Sequence, residues 1–170
     1  QRNWVDSVFQ SLSSEERLGQ LFMVAAYSNK DQKHIDEISQ LVKDENLGGL
    51  IFFQGGPDRQ ARLTNYYQAL AKTPLFIAMD AEWGISMRLD SVPDFPRAMT
   101  LGAIQNSDLI YDMGAEMARQ FKELGMHINF APVVDVNSNP ENPVIGFRAF
   151  GENKKAVAQR AVAYMKGLQD

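Results

Sequence analysis

The chain has 170 residues, 45% of them apolar and 10% aromatic; this is enough for one packed core and excludes a disordered chain, whose signature is low hydrophobicity with high charge. The net charge is −4 and the 17 Lys and Arg residues are scattered, which excludes nucleic acid as the main partner, because phosphate binding needs clustered cations. Cysteine is absent, excluding disulfides and thiolate chemistry, and no apolar stretch approaches the ~20 residues that span a bilayer.

The sequence opens at Gln1 rather than Met. A removed signal peptide and a trimmed boundary both account for that, so an exported (periplasmic or secreted) and a cytoplasmic location stand equally open. Trp4, Val5, Val8, Phe9 and Leu12 form the stripe of a short amphipathic helix. Ser13 with Glu16 three residues on is a capping box. The helix it opens is expected to bury Leu18, Leu21 and Phe22 before a first strand at Met23–Ala26.

From there apolar runs alternate with helical periodicity. Ile35, Ile38, Leu41 and Val42 share a helix face, and Leu50–Phe53 is a second strand. Asp58 is the expected cap of a helix carrying Leu63, Tyr66, Tyr67 and Leu70. Leu75–Met79 is a third strand. Ser107 is the expected cap of a helix with Ile110, Met113, Met117, Phe121 and Leu124 on one face, and Gly125 has the position of a C-terminal glycine cap. Ile128–Ala131 gives a fourth strand ended by Pro132, and Val157, Ala161, Tyr164 and Leu168 mark the last helix. Doubly apolar strands separated by amphipathic helices predict a parallel sheet covered by helices. A doubly wound open sheet and part of a (β/α)₈ barrel both fit; a whole barrel takes ~250 residues.

In either architecture ligands bind at the C-terminal ends of the strands. The stretch after the third strand, Met79-Asp80-Ala81-Glu82-Trp83-Gly84, brings two carboxylates there, followed by Arg88; the loop after the fourth carries Asp135, Arg148 and Glu152. Other chemistries fail on inspection. Gly48-Gly49 and Gly55-Gly56 form neither a dinucleotide fingerprint nor a P-loop. His34 and His127 belong to no metal-spacing motif; His34 reads as an exposed helix residue and His127 as structural. No nucleophile elbow is present.

Gly48-Gly49-Leu50-Ile51-Phe52-Phe53, the Met79–Gly84 turn, Met99-Thr100-Leu101-Gly102-Ala103, Asn129-Phe130-Ala131-Pro132-Val133-Val134-Asp135-Val136, Asn139-Pro140 and Ile145–Glu152 follow one another in order. The set resembles the N-terminal barrel domain of family 3 glycoside hydrolases, and most closely the β-N-acetylhexosaminidase branch. The resemblance implies that residues 1–170 form the first half of a TIM (β/α)₈ barrel, about four βα units with strands in order 1-2-3-4 and an extra N-terminal helix. It implies a retaining hydrolase of β-linked N-acetylglucosamine that uses no metal or cofactor. Asp80, Arg88 and Arg148 match residues that line the sugar subsite in the family; arginine suits this work through its fixed fork of donors.

The departures bear on chemistry. The family's Lys-His pair after the fifth strand, its acid/base His–Asp elements and its aspartate nucleophile have no counterpart in this sequence, so no catalytic residue is expected in this chain. Trp83 stands where many relatives have Gly; it reads as packing the loop rather than stacking on a sugar. Glu82 reads as a supporter of the sugar-binding residues. Asp135 has two readings, as an anchor of the Asn/Pro-rich loop and as a ligand contact. The expected partners are a β-N-acetylglucosaminide, the remaining half of the barrel and, through bare strand edges, a second copy of the chain. The rival readings are a β-glucosidase of the same family, a non-catalytic sugar-binding or structural module, and a flavodoxin-like binding protein, which strand order would distinguish.

Overall fold

The computed structural model describes residues 2–170; Gln1 lies outside them. Helix α1 (Arg2–Ser11) and the short α2 (Ser14–Gly19) precede β1 (Met23–Ala26). Then come α3 (Gln32–Asp44), β2 (Gly49–Phe52), α4 (Pro57–Leu70) and β3 (Phe76–Met79). A long loop holds α5 (Ala98–Leu101) and leads to α6 (Ser107–Glu123), β4 (Ile128–Asn129) and, after a second long loop, α7 (Lys154–Gln169). The four strands form one sheet in the order β1-β2-β3-β4, and every pair is parallel. There is no reversal of order, which separates this sheet from doubly wound folds.

The register positions the site. Ala26 pairs with Phe52, Phe52 with Met79, and Met79 with Asn129. The residues that follow the first three strands, Tyr27, Phe53 and Asp80, therefore come out side by side at one rim of the sheet. One apolar cluster, with Val42, Leu50, Phe52, Tyr67, Ile77 and Met79, joins the sheet to α3 and α4. A second, with Ile110, Met117, Phe150, Val157 and Tyr164, joins α6 to α7. Those two helices meet closely at Gly167, where a Cβ would lie 2.1 Å from the Tyr111 carbonyl oxygen.

Local signals explain most element starts. The capping box forms as expected: Ser13 Oγ accepts from Glu16 N at 3.1 Å, and Ser13 N donates to a Glu16 carboxylate oxygen at 2.8 Å. Two expected caps move upstream. Gly56, not Asp58, caps α4, with Pro57 in the first turn, where its missing N–H costs nothing. Asn106, not Ser107, caps α6, its Oδ1 accepting from Asp108 N. Gly125 has φ +67°, the left-handed cap conformation the sequence predicts.

The expected burial of Leu18, Leu21 and Phe22 does not occur; Leu21 is 80% exposed. α2 turns its glycine inward instead. Gly48 N donates to the Gly19 carbonyl, Gln20 Nε2 donates to the carbonyls of Asn46 and Leu47, and the leucines are left on the outside. β4 is also shorter than the apolar run: it comprises Ile128 and Asn129, Phe130 N makes one more hydrogen bond to the Met79 carbonyl, and the chain then runs to Pro132, a residue with no N–H to give.

Candidate functional site at the strand ends

Asp80 is the residue directly after β3. Its Oδ2 accepts a hydrogen bond from Arg88 Nη2 at 2.7 Å, both side chains being largely buried. Glu82 points to a different partner. Arg148 donates from Nε to both Glu82 carboxylate oxygens, at 3.1 and 3.0 Å, and from Nη2 to Oε1 at 2.7 Å. Its Nη1 also donates to the Val144 carbonyl. These hydrogen bonds to the Glu82 carboxylate hold the Arg148 guanidinium pKa above the ordinary arginine value; burial opposes them, and the charges of Glu82, Asp135 and Asp80 add to them. One turn thus carries two arginine–carboxylate pairs, drawn from the β3 loop and the Gly146–Arg148 3₁₀ turn.

The peptide between the two carboxylates is clamped. Asn129, at the end of β4, accepts from Ala81 N through Oδ1 at 3.0 Å and donates from Nδ2 to the Ala81 carbonyl at 3.3 Å. Tyr164, from α7, donates its hydroxyl toward the same carbonyl at 3.3 Å. Ala81 is fully buried, so its polar groups need these partners.

Sequence reasoning named Asp80, Glu82, Arg88 and Arg148, and the structure brings all four together. It did not single out Asn129 and Tyr164, which hold the Ala81 peptide. The signal for Asn129 was position, at the end of a strand. Tyr164 reads from sequence only as core.

Asp135 differs from the anchoring role considered for it. It is exposed, and no hydrogen bond or ion pair holds it among the described residues. The asparagines hold that loop instead, because their short amide side chains reach backbone N–H groups two or three residues on. Asn139 Oδ1 accepts from Glu141 N, and Asn142 Oδ1 accepts from Val144 N and Ile145 N. Asp135 nonetheless lies near enough to Arg148 to add to its charge stabilisation.

Trp83 packs as expected. The Arg97 guanidinium carbon sits 4.0 Å above its ring and 4.6 Å from the Phe147 ring, sandwiched between the two loops. His34, expected to be exposed, is half-buried: its Nε2 accepts from Tyr27 N at 3.1 Å, which needs the imidazole neutral. His127 is structural, its Nδ1 accepting from Ile77 N. Among the described residues no group of three or more His, Asp and Glu is arranged to hold a metal ion, and no helix is long and apolar enough to cross a membrane.

Residues 13–170 match the glycosyl hydrolase family 3 N terminal domain. The chain belongs to glycosyl hydrolase family 3. It is 35% identical over 146 residues to beta-hexosaminidase A of Pseudoalteromonas piscicida, covering 78% of this chain and 24% of that protein. Among solved structures it is similar to the family 3 beta-N-acetylglucosaminidase from Paenibacillus sp. str. FPU-7, with a TM-score of 0.83 and 32% identity over 94% of this chain and 31% of that one. The beta-glucoside phosphorylase BglX superposes with a TM-score of 0.89 at 25% identity, covering 98% of this chain and 30% of that one. The family 3 chain described here therefore spans less than a third of the length of each of these relatives. Its sheet is the first four strands of the family's TIM barrel.

Proposed function

We propose that residues 1–170 are the N-terminal half of a family 3 catalytic barrel domain, and that their strand-end rim binds the sugar of a β-linked N-acetylglucosaminide. Asp80 accepts from sugar hydroxyls. Arg88 and Arg148 donate to sugar oxygens, Glu82 holds Arg148 in place, and Asp135 borders the same subsite. The observation that carries this reading is the pair of arginine–carboxylate contacts on one turn, Asp80–Arg88 and Glu82–Arg148. Such pairs present acceptors and donors in fixed directions, the pattern a polyhydroxylated neutral ring requires. Bond cleavage falls to residues outside this chain, in line with the general scheme of two cooperating carboxyl groups. The names of the hexosaminidase relatives support N-acetylglucosamine as the sugar.

The likeness to a β-glucoside phosphorylase supports a second reading, in which the rim takes glucose. Titrating the chain with N-acetylglucosamine and with glucose, by NMR, separates the two. The main reading expects saturable shifts with N-acetylglucosamine that vanish in Asp80→Ala, and no turnover of a chromogenic β-N-acetylglucosaminide. Tighter binding of glucose would favour the second reading. Turnover by the purified chain that is lost on Asp80→Ala would overturn the assignment of cleavage to other residues.

A further inference from the structure

The turn after β3 and the 3₁₀ turn Gly146–Arg148 meet twice at the rim. Glu82 and Arg148 make one meeting, an ion pair. Their chain neighbours Trp83 and Phe147 make the second, through a residue of a third segment. The Arg97 guanidinium carbon lies 4.0 Å from the centroid of the Trp83 ring and 4.6 Å from that of Phe147. Among the described residues no ion pair competes for this guanidinium, so the two rings are its partners.

Backbone ties keep Arg97 within reach of both rings. Phe95 N donates to the Trp83 carbonyl at 3.2 Å, and Ser86 Oγ donates to the same carbonyl at 3.3 Å. The Arg97 carbonyl accepts from Leu101 N at 3.1 Å and so opens α5. At the end of α5 stands Gly102, where a Cβ would fall 1.9 Å from the Phe150 carbonyl oxygen. Only glycine lets α5 come this close to the segment that follows the 3₁₀ turn. Arg97 is therefore carried on a piece of chain fastened to the β3 turn on one side and to the Phe150 segment on the other.

A single contact between two segments is a pivot; a second contact one residue away fixes the angle between them. The side-on Glu82–Arg148 pair sets how far apart the two turns stand. The Trp83–Arg97–Phe147 contact opposes rotation about that pair. A guanidinium suits two rings at once, because it is broad, delocalised and weakly hydrated and is drawn to the negative face of a ring. Within the ion pair the Glu82 side chain is 9% exposed and that of Arg148 32%. Arg148 is thus the member a ligand can reach, and its direction is what the second contact controls.

We propose that Arg97 is a positioning residue for sugar binding: by holding Trp83 and Phe147 together it fixes the rotation of the Glu82–Arg148 pair, and with it the direction in which Arg148 meets a sugar oxygen. This rests on the sugar-binding reading above. It adds to that reading a residue that acts through Trp83 and Phe147 rather than on the ligand itself.

The test uses this chain, with N-acetylglucosamine as the probe. Kd is read from saturable NMR shifts. The Arg148 Nε–H resonance, assigned by its loss in Arg148→Lys, is read without ligand. Arg97→Leu removes the guanidinium. Phe147→Leu removes one ring at a position 54% exposed, and Phe147→Tyr keeps the ring. The expected result is that Arg97→Leu moves the Arg148 resonance and raises Kd about tenfold. Phe147→Leu does the same, the double variant goes no further than either single one, and Phe147→Tyr stays within about twofold of the wild type. Phe147→Leu carries the test if Arg97→Leu does not fold. A folded Arg97→Leu that binds with the wild-type Kd overturns the positioning role. A raised Kd with the Arg148 resonance unmoved overturns action through Arg148, and fold-changes that multiply in the double variant overturn the single shared contact. Absence of any probe binding by the wild type sinks the sugar-binding reading itself, while the ligand-free resonance still decides whether Arg97 orients Arg148.

Discussion

Arg148 meets Glu82 side-on, through Nε and Nη2 together, and so joins segments 66 residues apart in the chain. The Glu82 side chain is only 9% exposed in this contact. A bidentate pair with one partner this buried contributes more than a surface ion pair, because removing either member strands the other. Urea denaturation of Glu82→Ala, Arg148→Ala and the double variant is expected to give a coupling of about 1–3 kcal/mol. Arg148→Lys should recover little of it, since an ammonium cannot make the fork. The sign with pH follows from the raised Arg148 pKa: its stabilisation is complete below the ordinary arginine value and is lost only above it, so the arginine side imposes no pH dependence in the neutral range. Additive single-variant effects would show that the pair does not act as a unit.

Asn129 is expected to matter beyond its place in β4. It satisfies both the N–H and the carbonyl of buried Ala81, so Asn129→Ala should cost about 1–3 kcal/mol of stability. Asn129→Asp keeps the acceptor for Ala81 N but loses the donor, and should fall between. Because Ala81 separates Asp80 from Glu82, the proposed sugar-binding function predicts a drop in N-acetylglucosamine affinity in both variants under conditions where they remain folded. Unchanged affinity in folded Asn129→Ala would mean that the clamp supports the fold alone.

The alternation of apolar runs and helical stripes made the parallel sheet and its strand ends legible, because both follow from burial on two faces. That Asp80, Glu82, Arg88 and Arg148 gather at the strand ends was legible from their place after strands and from the order of the motifs. Their pairing was not. Nothing in the spacing says that Glu82 turns to Arg148 while Asp80, two residues earlier, takes Arg88; that depends on how the two long loops fold back. Asn129 and Tyr164 were missed because an amide in a strand and a tyrosine in a helix stripe both read as packing. Leu18, Leu21 and Phe22 misled for the opposite reason: their stripe is apolar, but Gly19 and Gln20 make the closer contact with the sheet side.

Acidification should loosen the rim through His34. Burial is the main cause that lowers its pKa below the usual histidine value, with the nearby Lys30 cation adding to it. The folded state therefore prefers the neutral ring that accepts from Tyr27 N. Stability from this contact is present above the unfolded histidine pKa of about 6.5 and is lost as pH falls through the lower folded value. Thermal unfolding followed from neutral to mildly acid pH should show a decline that His34→Gln, which titrates at neither pH, reduces. Parallel pH profiles for the two chains would remove His34 as the cause.

Alkaline pH should act through Tyr67. Its ring is fully buried, and burial, ahead of the neighbouring Tyr66, pushes its pKa up to about 12. The protonated phenol is thus the form the fold holds. Its contribution is complete below the unfolded tyrosine value of about 10 and drains away as pH rises toward the folded value, at about 1.4 kcal/mol per pH unit. The hydroxyl has no hydrogen-bond partner among the described residues, so Tyr67→Phe at neutral pH should be neutral or stabilising by up to about 1 kcal/mol. Tyr164, likewise raised by burial, remains in both chains, and the difference between the two urea profiles therefore isolates Tyr67. A large loss of stability in Tyr67→Phe at neutral pH, or an alkaline slope identical to that of the wild type, would refute this account.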